Sequence, residues 1–242
     1  MTDLTVVLAN YNQAHLLGAS VGRIEAALST AGIRPRFVLV DDGSTDGTWA
    51  ESEAIARDRP GTTLVKQPVN RGRGRAVADG IRAATTALVA TLDTDLEVGP
   101  HALPPMLAAL RDGGVDLVLA RRNYPVPLAP SRAWELGRWC AHKGYRLVTR
   151  AAFGTALDTA SGCKIVRRDR LLPVLDEVAD ERWFWDTEMI ILARRAGLRV
   201  VEVEALCPRK PRDKSTFAVL PEAVAHVRFV AGLRRRLGPR GP

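Results

Sequence analysis

The chain has 242 residues, 46% of them hydrophobic, enough to bury one large core or two small ones. No apolar run approaches the roughly 18 to 20 residues of a membrane-spanning helix, and the opening "MTDLTVVLANYNQ" has neither the basic start nor the apolar stretch of a secretory leader. The net charge of +8 favours anionic partners such as sugar nucleotides, lipid phosphates or a membrane surface; nucleic acid is disfavoured, because only 5% of residues are aromatic and the cations are not interleaved with them.

In chain order the hydrophobic period switches between two and about 3.6. A strand over 4–9 ("LTVVLA") ends in "ANYNQ", and Leu17, Val21, Ile24 and Leu28 then form a helical stripe. A second strand over 37–40 ("FVLV") runs into "DDGSTDGT", and a third covers 62–65 ("TTLV"). Val77, Ile81 and Ala84 make the next stripe, a fourth strand over 87–92 ("ALVATL") meets "DTDLE", Leu103, Leu107 and Leu110 mark another helix, and a fifth strand covers 115–120 ("VDLVLA"). Such alternation predicts an α/β fold, a mostly parallel sheet with helices on both faces, because parallel neighbours need crossover connections. In such sheets ligands gather beyond the carboxyl ends of the strands, where the unusual residues fall.

The proline-rich "NYPVPLAPS" over 123–131 reads as an extended connector between a nucleotide-binding half, 1–122, and a more irregular second half, 123–217, of one domain. Residues 218–242 form a basic tail: from Ala223 onward there are five arginines and no acid, with Val224, Val227, Val230, Leu233 and Leu237 at roughly helical spacing. That helix either lies on an anionic membrane or packs on the core. Cys140, Cys163 and Cys207 are scattered and odd in number, which suggests a reducing, cytoplasmic setting rather than a disulfide framework.

Three stretches carry candidate chemistry. If residues 93–97 stay extended, Asp93, Asp95 and Glu97 share a face, and converging acids call for a hard divalent ion such as Mg²⁺ or Mn²⁺; the alternative is an acidic turn with Glu97 favoured by a helix N-terminus. Asp41 and Asp42 offer acceptors for base N–H or ribose hydroxyl groups, while Ser44, Thr45 or Asp46 cap the next helix. "NRGRGRAVADGI", 70–81, has a G-x-G without the third glycine of a dinucleotide fingerprint, and its arginines are either solvated or reach a phosphate.

"VVLANYNQ", "VLVDDGSTDGT", "NRGRGRAVADGI" and "LDTDLEVGP", in this order and spacing, resemble family 2 glycosyltransferases of the GT-A fold, with most likeness to the dolichol-phosphate and polyprenyl-phosphate mannosyl and glucosyl transferases. Residues 4–122 carry most of it, with echoes in "DTASGCKIVRRD" (158–169), "WFWDTEMIILARRAG" (183–197) and "PRKPRDKSTF" (208–217). The resemblance implies a Rossmann-like sheet and a nucleotide pocket lined by Ala9, Tyr11 and Gln13, with Asp41 or Asp42 on the base or ribose and Arg73 on a phosphate. It implies Asp93, Thr94 and Asp95 around the metal and donor diphosphate, and Glu97, where that branch usually has glutamine, as a third ligand. Arg121, in "LARRN" where those enzymes often have "GSR", would contact the acceptor phosphate, and Arg209, Lys210, Arg212, Lys214 and Ser215 would fold over the diphosphate.

Asp186 and Glu188 match the region that supplies a general base in members with hydroxyl acceptors; equally, they suit the first turn of a helix. The chain departs from the family in "LANYNQ", which lacks the usual proline and final glutamate, in Cys163 and Lys164, which replace an aromatic and an arginine, and in "RKPRDKS", which lacks a glycine before the serine.

The implied activity is metal-dependent, inverting transfer of a hexose from GDP-mannose or a UDP-hexose to a polyprenyl phosphate. The enzyme would be cytoplasmic or peripheral at the inner membrane face, where a small membrane partner could supply an anchor. The competing reading is a soluble enzyme on the same scaffold, a natural-product transferase or a sugar-nucleotide isomerase or mutase.

Overall fold

A computed structural model describes residues 3–111, 113–123, 133–207 and 219–238. The strands are β1 (Leu4–Asn10), β2 (Pro35–Asp41), β3 (Thr63–Lys66), β4 (Leu88–Asp93), β5 (Leu117–Asn123), β6 (Lys164–Arg167) and β7 (Val200–Leu206). They form one sheet in the order β3-β2-β1-β4-β6-β5-β7. Only β6 runs antiparallel to its neighbours β4 and β5. The helices are α1 (Ala14–Ser29), α2 (Thr48–Asp58), α3 (Arg73–Ala83), α4 (Leu103–Arg111), α5 (Ala133–Phe153), α6 (Arg168–Leu175), α7 (Trp185–Arg195) and α8 (Val219–Leu237).

Strand alternation sends one side-chain set to each face of the sheet. Leu4, Val6 and Leu8 of β1 meet the expected stripes Leu17, Val21, Ile24 and Leu28 of α1 and Leu103, Leu107 and Leu110 of α4. Val7 of β1 lies on the opposite face, with Val77 and Ile81 of α3 and with residues of α6 and α7. A fully buried side chain of this kind contributes about 1.5–3 kcal/mol, so both faces are held strongly. A third, smaller cluster joins Phe153 of α5 and Ile191 of α7 to Val230 and Leu233 of α8. The stretch 124–131 of the expected connector lies outside the described residues.

Parallel pairing aligns the carboxyl ends: Asn10 stands opposite Asp41, and Ala9 opposite Asp93. The segment after β4 corrects one expectation. Residues 93–97 do not stay extended: the Leu96 N–H donates to the Asp93 carbonyl at 2.9 Å, and Leu96 has φ 51. The reason is Leu96 itself, only 3% exposed, which turns into the apolar layer beside α1 and α4 and breaks the period-two pattern.

Candidate active site

The loop after β1 is locked to the loop after β2. Asn12 donates its N–H to Ser44 Oγ at 2.9 Å and accepts the Thr45 N–H at 2.9 Å; the Gln13 N–H donates to Thr48 Oγ1 at 2.8 Å. Gly43 has φ +71, and a Cβ there would lie 2.4 Å from the Val69 carbonyl carbon, so this turn excludes larger residues. Tyr11 is 44% exposed at the rim. Ala9 is half-buried beside it.

The two aspartates of the second motif divide their work. Asp42 accepts the N–H groups of Arg71 at 2.8 Å and Gly72 at 2.9 Å, so it holds the glycine-rich loop in place. Burial nevertheless pushes its carboxyl above the ordinary carboxylate range. Asp41 accepts only the Ser44 N–H, at 3.0 Å, through Oδ1; its buried Oδ2 and the buried Gln13 Oε1 find no hydrogen-bond partner among the described residues. A buried acceptor without a donor is costly, and at the sheet edge it suits a ligand N–H or O–H.

Of the arginines in the glycine-rich loop, Arg71 pairs with Glu181 on the surface and Arg75 with Asp79 along α3. Arg73 alone enters the site. Its Nε and Nη2 donate to Asp93 Oδ1 at 2.7 and 2.6 Å, and its Nη1 to Asp186 Oδ2 at 2.6 Å. On the far side Lys164 Nζ donates to Asp186 Oδ1 at 2.6 Å and to the Ser161 carbonyl. Burial opposes the charge on Asp186, but Arg73 and Lys164 together hold its carboxyl below the usual range. Gly162 makes room for this cluster: a Cβ there would sit 2.0 Å from Asp93 Oδ2.

Several expected site residues have partners within the protein. Thr94, expected beside the donor diphosphate, is buried and donates to Asn10 Oδ1 at 2.6 Å, which ties the turn after β4 to the end of β1. Asp95 is exposed and accepts the Glu97 N–H at 3.0 Å. Glu97 reaches Arg122 at 3.7 Å instead of sharing a face with Asp93 and Asp95, because the turn replaces the extended segment. No cluster of three or more metal-ligating side chains forms among the described residues. Asp93, half-exposed, and Asp95 still offer carboxylate oxygens of the type that, with phosphate oxygens from a ligand, suits Mg²⁺ or Mn²⁺.

Asp186 and Glu188, both in the stretch expected to supply a general base, diverge, since residues two apart on a helix project about 200° from one another. Glu188, 1% exposed, accepts the N–H groups of Ala179 at 3.1 Å and Asp180 at 2.8 Å and an N–H of Arg236 from α8. It anchors a loop and a helix. Arg121 pairs with Glu204 at 2.9 Å at an exposed rim. Its neighbour Arg122, on the opposite face by strand alternation, is the more buried and grips Asp158 through Nε at 3.0 Å and Nη2 at 2.9 Å. Burial disfavours the Asp158 charge, yet Arg122 holds that carboxyl below the ordinary range. Sequence reasoning missed Arg122, Asp158 and Asn12; the alternation along "LARRN" was the signal available for Arg122. Arg209, Lys210, Arg212, Lys214 and Ser215 lie outside the described residues.

Residues 5–172 match the family described as glycosyl transferase family 2. An uncharacterized glycosyltransferase of Mycobacterium tuberculosis is 34% identical over 206 residues, 83% of each chain. An undecaprenyl-phosphate mannosyltransferase of Micrococcus luteus is 27% identical over 251 residues, 98% of this chain and 100% of its own. Among solved structures, glucosyl-3-phosphoglycerate synthase of Mycobacterium tuberculosis superposes with a TM-score of 0.67 at 21% identity, covering 97% of this chain and 79% of that one. The same enzyme with Mn²⁺, uridine diphosphate and glucosyl-3-phosphoglycerate superposes with a TM-score of 0.62 at 20% identity, over 96% and 78%. These likenesses give the GT-A type of fold. With the family match running from β1 through β6 and the sheet edge that carries Asp41, Asp93 and Asp158, the chain belongs to glycosyl transferase family 2 and is a glycosyltransferase.

Proposed function

We propose that this glycosyltransferase is metal-dependent and inverting, and moves a hexosyl group from a GDP- or UDP-linked sugar to a polyprenyl phosphate at a membrane surface. The observation that carries the acceptor class is the state of Asp186. A sugar hydroxyl must lose a proton to attack, whereas a phosphate is already an anion at neutral pH. A buried carboxylate pinned by Arg73 and Lys164, each at 2.6 Å, is a poor base, and this favours an acceptor that needs none. The likeness to the Micrococcus luteus undecaprenyl-phosphate mannosyltransferase supports the same acceptor.

On this reading Asp41 Oδ2 and Gln13 Oε1 receive donors of the nucleoside, while Ala9 and Tyr11 line its pocket. Asp93 and Asp95 would hold Mg²⁺ or Mn²⁺, which when bound neutralises charge building on the departing diphosphate. Arg121, about half-exposed and paired with Glu204 at the rim, exchanges that partner for the acceptor phosphate. A phosphate oxygen forms its bond to the anomeric carbon as the bond to the nucleoside diphosphate breaks, on the opposite face of the sugar. The exposed Arg228, Arg234 and Arg235 of α8 supply positive charge toward an anionic membrane.

The test supplies GDP-mannose or UDP-glucose with Mn²⁺ and undecaprenyl phosphate in detergent and follows sugar label into the organic phase. The expected result is Mn²⁺-dependent lipid-linked sugar, reduced at least about 100-fold in Asp95→Ala. Label appearing only on a soluble hydroxyl acceptor, or a donor rearranged without any acceptor, would overturn the reading.

A further inference from the structure

Arg73, Asp93, Asp186 and Lys164 form a quartet of two cations and two anions, neutral before any ligand arrives. Asp186 and Lys164 have side chains 5% and 1% exposed, Arg73 15%, and Asp93 36%, so the quartet opens outward only at Asp93. Both Arg73 contacts to Asp93 fall on the same oxygen, Oδ1. Arg73 is also the first residue of α3, a helix with no acid in its first turn, where the helix dipole opposes a cation. Its position is therefore held by the two carboxylates.

We infer that Arg73 serves as a built-in counter-cation of Asp93, which keeps this carboxylate from binding a divalent metal tightly until an anionic nucleoside diphosphate arrives, so that metal and nucleotide bind interdependently. The inference rests on the metal and nucleotide reading above. A dication placed on Asp93 alone would face the guanidinium within a few ångströms in a partly dry setting, where like charges repel strongly. A diphosphate brings the negative charge that offsets both cations. By linkage the nucleotide must then raise metal affinity by the same factor as the metal raises nucleotide affinity. Arg73 is a positioning residue in this scheme, acting on the metal site through Asp93.

The variant Arg73→Met isolates the effect, because Asp186 keeps Lys164 as partner and the methionine preserves most of the apolar stem. Mn²⁺ is titrated into the 242-residue protein, followed by the electron paramagnetic resonance signal of the free ion, without nucleotide and with GDP or UDP. Without nucleotide, Arg73→Met should bind Mn²⁺ at least about tenfold more tightly than wild type, and the gain produced by nucleotide should shrink by a similar factor. Arg73→Lys should stay near wild type. Equal or weaker Mn²⁺ binding by Arg73→Met, alongside nucleotide-dependent Mn²⁺ binding by wild type, overturns the inference and leaves the metal reading standing. Absence of Mn²⁺ binding to either protein with either nucleotide overturns both. Circular dichroism and a thermal melt establish that the variant is folded; if it is not, Arg73→Gln takes its place, read by the same criterion.

Discussion

His142, on α5, lies 4.0 Å from Asp158, the carboxylate gripped by Arg122. Burial lowers its pKa from 6.5 to about 4, outweighing the pull of Asp158, and Arg122, Arg146 and Lys143 push the same way. The folded imidazole thus stays neutral where the unfolded one takes up a proton. Stability is unaffected by this group above about pH 6.5 and falls as pH drops from there toward 4, because the unfolded chain binds the extra proton. In His142→Gln the urea midpoint should change less between pH 7.5 and 5 than in wild type, by an amount assigned to this one residue. An unchanged pH slope would show that the imidazole titrates normally. At this scale the sequence showed which residues are acids and bases, but not their partners: nothing in "LARRN" or "DTASG" says that Arg122 and Asp158 meet across 36 positions.

Helix α8 packs one face on the core and leaves another exposed. Its periodic apolar residues suited either a membrane or a core. Val230 and Leu233 are buried against Phe153 and Ile191, and Arg236 reaches Glu188, while Val227, Arg228, Arg234 and Arg235 remain exposed. Leu233→Ala should therefore cost about 3 kcal/mol of unfolding free energy in urea, and leave partition into anionic vesicles at its wild-type level. Weaker vesicle binding at unchanged stability would instead assign that leucine to the lipid. The turn after β4 teaches the converse lesson. Period-two spacing puts Asp93, Asp95 and Glu97 on one face only while the strand continues, and the burial of Leu96 ends it at Asp93. The acids were legible; the backbone that carries them was decided by one leucine's place in the core.

Across the whole molecule the two halves share a sheet. β5 connects to β1 through β4 only by way of β6, and its other neighbour is β7, so both of its partners come from beyond residue 123. A fragment of residues 1–122 should lack a cooperative thermal transition and fixed near-ultraviolet dichroism, having lost both neighbours of β5 and the packing of Trp185 against Gly74. A sharp transition in that fragment would make it an independent unit. The sequence by itself determined the α/β class, the helix faces and the acids at strand ends, because periodicity and turn chemistry are properties of a few neighbouring residues. Only the tertiary structure decided that Arg73 binds Asp93 and Asp186, that Asp42 serves the loop while Asp41 keeps an acceptor open, and that Glu188 is an anchor. Those outcomes depend on ion pairs and burial between distant segments, with Arg73 and Asp186 separated by 113 positions, and no local pattern encodes a contact of that span.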